Sequence, residues 1–576
     1  MIEFVQHAVP TQADLENLAQ ALQSDRSDVA VSSAAFSLKL SAPFRASLSG
    51  SHLLIEVGDA AADALRERAL RVDIDLGAQS VRAWTDRYAT YPLCYRADGA
   101  SSIAIASRAD ALAATPALRS QTLYDYLYFH MIPAPETVFP DVLRLPPGSR
   151  LTLSAGQAPT VERWWNPRFS PARSGDFETL KKDFLAIVRR GVAREATGHY
   201  AAFLSGGTDS STVVGMLCRE HGPVRAYSMG FEAEGYDEME YARLAARHFG
   251  ASHHEHYVTP DELVAAIPKV AAHYDQPFGN SSALPAYILS QIARDEGYDK
   301  LLAGDGGDEL FGGNSRYAKN RVFGFYDNVP GVLRAVLEPL LASPLGKLPL
   351  ARKGASYVEQ ARVPMPARNE MYNMLLRLGP ENIFTADFLA QIDRRAPLAL
   401  QQSVWDSVDA DDDLNRELGF DWRFTLADND LPKVIGTTSL AGLDVGFPLL
   451  SDELLDFSLG LPLDYKLKGF DLRWFFKEAL RGFLPDEIIT KKKHGFGLPF
   501  GHWALRHDGL NALSRASVQG TVDRGIVRPQ FADALFAEHL PAYPGFYGEM
   551  VWILMMMDQW MQRHALPATP PSGDRT

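Results

Sequence analysis

Little in this chain points to a membrane, a disulfide framework or a nucleic acid. No apolar run reaches the roughly 18 residues that a bilayer-spanning helix needs, and WILMMM at 552–557 is far too short. The opening MIEFVQHAVP carries an early Glu and no apolar core, so it does not read as a secretory signal. Two cysteines, Cys94 and Cys218, occur among 576 residues, and neither sits in a Cys-x-x-Cys pair. That argues against a zinc site or a disulfide scaffold. Cys218 falls on the apolar side of an expected helix and reads as a small buried hydrophobe. Lys and Arg number 57 against 71 Asp and Glu, a net charge of −14. General nucleic-acid binding needs clustered basic residues, so this balance argues against it. The expected setting is the cytoplasm, with neither nucleic acid nor membrane as partner.

What is present is ordinary globular material: 46% apolar, 22% charged and 10% aromatic residues. At about 100–200 residues per domain, the length suggests two to four domains. Residues 1–165 carry short alternating stretches, among them FSLKLSA, HLLIEVG, LRVDIDL and SRLTLS, separated by turn residues. They predict layered antiparallel strands. NPRFSPARSGD at 166–176 is the candidate linker.

After it the period changes. Helical stretches at 178–194, 209–220, 237–249, 260–272 and 282–297 alternate with short apolar strands at 200–204, 224–231, 253–258 and 299–303. This predicts an α/β unit with a parallel sheet, helices on both faces, and helical additions from 318 onward. The tail 566–576 is Pro-rich and polar and is expected to be disordered.

LSGGTDSS, Leu204 to Ser211, follows a strand and opens a helix. A helix N-terminus offers unpaired N–H groups and partial positive charge. Gly206 and Gly207 admit an anion to the backbone, and Ser205, Ser210 and Ser211 add hydroxyls. Asp209 repels phosphate unless it holds Mg2+. No Gly-Lys-Ser/Thr follows, so this is not a Walker A loop; the bland alternative is a glycine-rich turn. A second loop, LLAGDGGDELFGG at 301–313, begins at the end of a strand in the same sheet. Gly304, Asp305, Asp308 and Glu309 lie in it. Ligands of open α/β sheets bind beyond the strands' carboxyl ends, which puts the two loops side by side. Asp209 and Asp308 are the expected Mg2+ ligands; a calcium loop or plain surface turn is the alternative for DGGDE.

The first loop resembles the PP-loop of ATP pyrophosphatases. Together the loops resemble the asparagine synthetase B superfamily. DRYATYPLCYR (86–96) and YLYFHMIPAPETVFPDVLRLPPGSRL (126–151) are similar to its N-terminal glutaminase domain. YDQPFGNSSALP (274–285), LPDEIITKKKHGFGLPFGHW (484–503) and the helix around Trp552 and Trp560 are similar to its synthetase domain. The resemblance implies an Ntn-hydrolase-like αββα sandwich over 1–165 and an ATP-dependent synthetase over 177–565, with ATP and Mg2+ as cofactors. Adenine is expected near Met229 and Gly230, after the second strand of the sheet, and the resemblance implies that Lys493 lies beside the α-phosphate. Asp308 and Lys493 would support formation of an acyl-adenylate, which an amine then attacks. Glu417 is the candidate general base, with a surface role as its alternative, and Tyr372 a lesser candidate. Lys491 and Lys492 read as a solvated charge run.

The chain departs from the family twice. The glutaminase nucleophile is a cysteine directly after the initiator Met, but position 2 here is Ile2. This predicts a glutaminase-like shell without that activity, a misassigned start being the alternative. In VIGTTSLAGLDVGFPLLSD (434–452), Gly436, Thr437, Gly446 and Ser451 stand where charged residues are usual, while Asp444 keeps a carboxylate. This predicts a reshaped, roomier acceptor pocket; a packing change is the alternative. The expected reaction is therefore ATP-dependent amide formation, intramolecular as in lasso-peptide macrocyclases, with a precursor peptide and its processing protease as partners. β-lactam or carbapenam synthesis, ammonia-dependent asparagine synthesis and a non-catalytic nucleotide scaffold stay open.

Overall fold

The computed structural model describes all residues except 24–27, 42, 59–67, 97–101, 171–174, 234, 343–348, 492–496 and 565–576. Residues up to 165 stack two antiparallel six-stranded sheets. One runs Val142–Arg144, Cys94–Arg96, Ile103–Ala106, Ile2–Gln6, Phe36–Ser41, Asp28–Ser32. The other runs Thr160–Arg163, Ser149–Ser154, Ser80–Thr85, Ala69–Asp75, His52–Gly58, Arg45–Ser49. The alternating sequences place every second side chain inward. Phe4, Leu38, Ile55, Val72 and Ile74 from both sheets share one core. Each such burial is worth about 1.5–3 kcal/mol. A capping box between Thr11 and Asp14 starts the helix Gln12–Leu22, which buries Leu18 in that core.

The second unit is built on a five-stranded parallel sheet in the order Ser252–Tyr257, Arg225–Gly230, Tyr200–Phe203, Lys300–Leu302, Asp444–Gly446. The first four strands fall where the sequence puts them. The fifth lies in a stretch expected to be helical, because three residues, DVG, are too few to show a period. The chain leaves Tyr200–Phe203 toward one edge and returns on its other side as Lys300–Leu302. That reversal opens a crevice between the carboxyl ends of these two neighbours, where both glycine-rich loops begin.

Helices make up most of the rest. The run Asp413–Leu440 is interrupted by a π-helical segment, Trp422–Asp430. Pro432 follows it. Proline has no N–H to give the preceding turn, and its ring crowds the carbonyl four residues back; a widened turn accommodates this. The helix Pro544–Arg563 is buried along most of its length. Trp552 Nε1 donates to Gly279 O at 2.8 Å and Trp560 Nε1 to Tyr274 O at 3.0 Å, pinning the YDQPFGN segment from behind.

The two units are firmly joined. Arg144 pairs with Asp275 at 3.0 Å, Arg87 with Asp456 at 2.8 Å, and Tyr126 Oη donates to Ile553 O at 2.8 Å. Part of the expected linker is docked rather than free: Phe169 N donates to Asp409 O at 3.1 Å. Residues 171–174 and the tail 566–576 lie outside the described residues.

Candidate active site

The helix Thr208–His221 starts at Gly207 with no side-chain cap, so its first N–H groups are left for a ligand. Gly206 turns the chain at φ +72°, and a Cβ there would lie 2.6 Å from Tyr241 C. Only glycine fits this position. Ser205 N donates to Ser210 Oγ at 3.1 Å, and the two hydroxyls lie 3.0 Å apart, closing the loop over the helix start. Gly304 packs directly on that helix; a Cβ would come within 2.7 Å of Ser210 N. The absence of a side chain at 304 therefore lets the second loop touch the first.

A cavity of about 340 Å³ opens there. Ser205, Asp209, Ser210, Met229, Gly304, Asp305 and Asp308, all expected site residues, line it. Gly206, Gly207, Ser211 and Gly230 do not. Ser211 is wholly buried, and a Cβ on Gly230 would meet Tyr257 at 2.7 Å. These two shape the loop and strand end rather than the wall.

Asp209 and Asp308 do converge, and the residue between them is an arginine. Arg473 Nη1 donates to Asp209 Oδ2 and to Asp308 Oδ1, both at 2.7 Å, while Nη2 bonds Asp209 Oδ1. No sequence signal singled out Arg473. Its guanidinium is buried, which opposes its charge, but Asp209 and Asp308 outweigh that and hold it more firmly protonated than usual.

Two further cavity residues escaped the sequence reading. Lys433 Nζ lies 2.9 Å from Asp430 and 3.7 Å from Asp305. Burial pushes the Asp305 carboxyl up to about 6; Lys433 restrains the rise, while Asp430 and Asp209 add to it. Burial likewise raises Glu309, with Asp308 and Asp430 reinforcing it. Asp430 ends the π-helical segment and Lys433 lies in the helix that follows it, a placement that no local motif announces.

Glu417 is neither on the surface nor on the cavity wall. It is 3% exposed, accepts from Asn320 Nδ2 at 2.9 Å, and burial pushes it up to about 8. Tyr372 is 60% exposed and does not line the cavity. Lys493 lies outside the described residues. Of its neighbours, Lys492 also lies outside the described residues, and Lys491 is not a solvated charge: it is half-buried, 2.9 Å from Glu238 and over the Tyr241 ring.

The residues that suggested a roomier pocket are close-packed on one side, yet Gly436 also lines a second cavity of about 320 Å³ beside Tyr274, Pro432 and Ile435. A Cβ on Gly436 would meet Tyr274 Cε1 at 2.6 Å, and one on Gly446 would meet Glu195 Oε2 at 2.6 Å and Lys300 Cε at 3.0 Å. Thr437 donates to Lys433 O, and Ser451 caps the helix Asp452–Leu459. None of these four lines the cavity between the two glycine-rich loops. Tyr274 thus packs against Gly436, and Glu195 and Lys300 against Gly446, where a Cβ would point. Ile2 is a core residue of the sandwich, and both cysteines are buried, the Cys94 thiol pushed up to about 12 by burial.

With this geometry in place, comparison with known proteins is decisive. A family model described as Asparagine synthase matches residues 183–562, and one described as Glutamine amidotransferase domain matches 55–165. The chain belongs to the asparagine synthase family. "Asparagine synthetase (glutamine-hydrolyzing) 1" of Bacillus subtilis is 24% identical over 446 residues, covering 76% of this chain and 68% of that protein. A Mycobacterium bovis protein provisionally named asparagine synthetase (glutamine-hydrolyzing) is 29% identical over 407 residues, covering 69% of this chain and 60% of its own length. The chain thus spans less than two thirds of the second relative. Among solved structures, an NH3-dependent NAD synthetase from Campylobacter jejuni is 14% identical with a TM-score of 0.18, covering 24% of this chain and 62% of that chain. At that score the likeness supports no argument about the site. Both units of this asparagine synthase family member are therefore similar to recognised modules, and the cavity lies within the larger one. No helix among the described residues is long and apolar enough to cross a membrane.

Proposed function

We propose that this asparagine synthase family member is an ATP-dependent ligase that converts a substrate carboxylate to its acyl-adenylate, releases pyrophosphate and couples the acyl group to an amine. Residues 1–165 would be the glutaminase-like unit and 177–565 the synthetase unit. One observation carries the reading: the uncapped helix start after Ser205 and the acidic loop after Leu302 share one cavity, with Asp209 and Asp308 close enough for a single nitrogen to bond both.

In this scheme the N–H groups following Gly207 and the hydroxyls of Ser205 and Ser210 hold the triphosphate, and Met229 lies against the adenine. Among the described residues no three carboxylates, imidazoles or thiols gather tightly enough to bind a metal by themselves. Asp209 and Asp308 nevertheless fit Mg2+, which takes one or two carboxylates and completes its shell with phosphate oxygens and water. When bound, the ion neutralises phosphate charge. Lys433 adds a fixed positive charge at the wall, and one such contact is worth about 3 kcal/mol in the transition state. Lys493 stays the sequence's candidate for the α-phosphate. Asp305, ionised near neutral pH and facing the cavity, takes the proton that the amine loses on attack. That role moves from Glu417, which is sealed against Asn320.

The nitrogen source in this proposal is not glutamine hydrolysed on Cys94 or Cys218, since both thiols are buried. Peptide macrolactam formation drew its support from lost charge and gained glycine around Gly436 and Gly446; Tyr274, Glu195 and Lys300 pack against these glycines, while a cavity of about 320 Å³ also opens at Gly436. ATP–pyrophosphate exchange with aspartate and with candidate peptides tests the proposal and separates the two substrates. Exchange supported by aspartate favours asparagine synthesis with free ammonia; exchange only with a peptide favours ring closure. Nucleotide binding with no exchange across a broad panel of acids would sink the ligase reading in favour of a scaffold.

A further inference from the structure

We propose that Arg473 competes with the divalent cation for the Asp209–Asp308 pair, so that guanidinium and metal hold these two carboxylates in turn. The inference rests on reading that pair as the metal–nucleotide ligands, and it makes Arg473 a positioning residue for them.

The competition follows from where the guanidinium lies. One nitrogen, Nη1, reaches both carboxylates at 2.7 Å, and Nη2 adds a second bond to Asp209. A cation that bridges two carboxylates occupies the same space as an ion chelated by them. A guanidinium and a divalent ion repel too strongly to share it.

The surroundings are built around this arginine. Arg473 adopts φ +55°, a left-handed backbone that costs a non-glycine residue about 1–3 kcal/mol. Its guanidinium lies 4.1 Å from the centre of the Phe476 ring. Gly307 and Gly313 leave the room it needs. A Cβ at 307 would come within 2.7 Å of Arg473 Nη2 and collide with Asp209 Oδ1; one at 313 would lie 2.5 Å from Arg473 Cδ and collide with Asp308 Oδ1. Two glycines of the acidic loop are therefore shaped as much to this side chain as to a ligand. Arg473 Nε is buried with no hydrogen-bond partner, so the group is not satisfied in every direction where it stands. Once released, a guanidinium is suited to phosphate oxygens, which it binds in a bidentate fork.

The test reads metal binding, not turnover. Mn2+ is titrated by electron paramagnetic resonance, without nucleotide, into the full-length protein, Arg473→Gln, Arg473→Lys and Arg473→Gln/Asp308→Asn. Removing the competing charge should tighten Mn2+ binding at least about tenfold in Arg473→Gln, and Asp308→Asn should abolish the gain. Arg473→Lys should gain less, because one ammonium keeps the charge but not the fork. Equal Mn2+ affinity in the unaltered protein and Arg473→Gln overturns the proposal. So does tight nucleotide-free binding in the unaltered protein that Asp308→Asn removes. Should Arg473→Gln fail to fold, Arg473→Met decides in its place: an unchanged Mn2+ affinity in that neutral variant rejects competition. Failure of the ligase reading would show in pyrophosphate exchange and leave this titration untouched.

Discussion

Lys433 Nζ stands 3.7 Å from Asp305 Oδ1 on the wall of the cavity, where it restrains the rise that burial imposes on the Asp305 carboxyl. Burial has raised that carboxyl to about 6, so amide formation should have an acid limb there, rising as pH increases and Asp305 loses its proton. Asp305→Asn should flatten the limb. It should cut coupling by about 10²- to 10⁴-fold while leaving pyrophosphate exchange much less affected. Parallel loss of both reactions would reassign Asp305 to nucleotide binding.

Lys433→Met removes the charge that restrains Asp305. The acid limb should move to higher pH, and kcat should fall by about a hundredfold, the usual scale for one lost electrostatic contact. A rate loss with an unmoved limb would show that Lys433 acts on the phosphates alone. The pH profile of kcat, measured beside that of the unaltered protein, separates the two.

Glu417 gives a stability prediction with a definite sign. Its folded value of about 8 lies above the unfolded value of 4.5. Between those pH values the unfolded chain ionises this carboxyl while the folded protein keeps it protonated, so its contribution to stability falls as pH rises across the window. Glu417→Gln can still accept from Asn320 and titrates nothing. Thermal melts should show it more stable than the unaltered protein at pH 8, by an order of a few kcal/mol, with the difference shrinking toward pH 5. A pH-independent difference would mean that packing alone is at work.

Gly436→Ala tests whether position 436 opens an acceptor pocket or closes a packing contact. With Tyr274 Cε1 2.6 Å from the added carbon, melting should show a loss of about 1–3 kcal/mol with substrate preference unchanged. An altered ratio of kcat/KM between aspartate and peptide acceptors, at unchanged stability, would restore the pocket.

Much of the site was legible because its signals are local. Ser205 to Ser211 and Gly304 to Asp308 are contiguous runs, each bounded by a strand, and adjacency in sequence fixes their loops. The alternation that marked four parallel strands is local too. The strand Asp444–Gly446 was not readable, since three residues show no period. Lys433 and Asp430 reach the cavity from the junction between the π-helical segment and the helix after it, which no local motif marks. Arg473 comes from 165 residues beyond Asp308 and carries no motif. Glycine at 436 and 446 records a missing side chain and not the neighbours, Tyr274 and Glu195, that pack against it.

The sequence by itself determined the α/β class, the two glycine-rich loops and the separation of a strand-rich first unit from a parallel-sheet second one. These depend on hydrophobic period and on glycine's backbone freedom, which act within a few residues. Only the tertiary structure decided which charges meet: that Arg473 lies between Asp209 and Asp308, that Lys433 faces Asp305, and that Glu417 is sealed from the cavity. Electrostatic pairing and burial are set by distance in space, and chain folding joins residues that no sequence spacing connects.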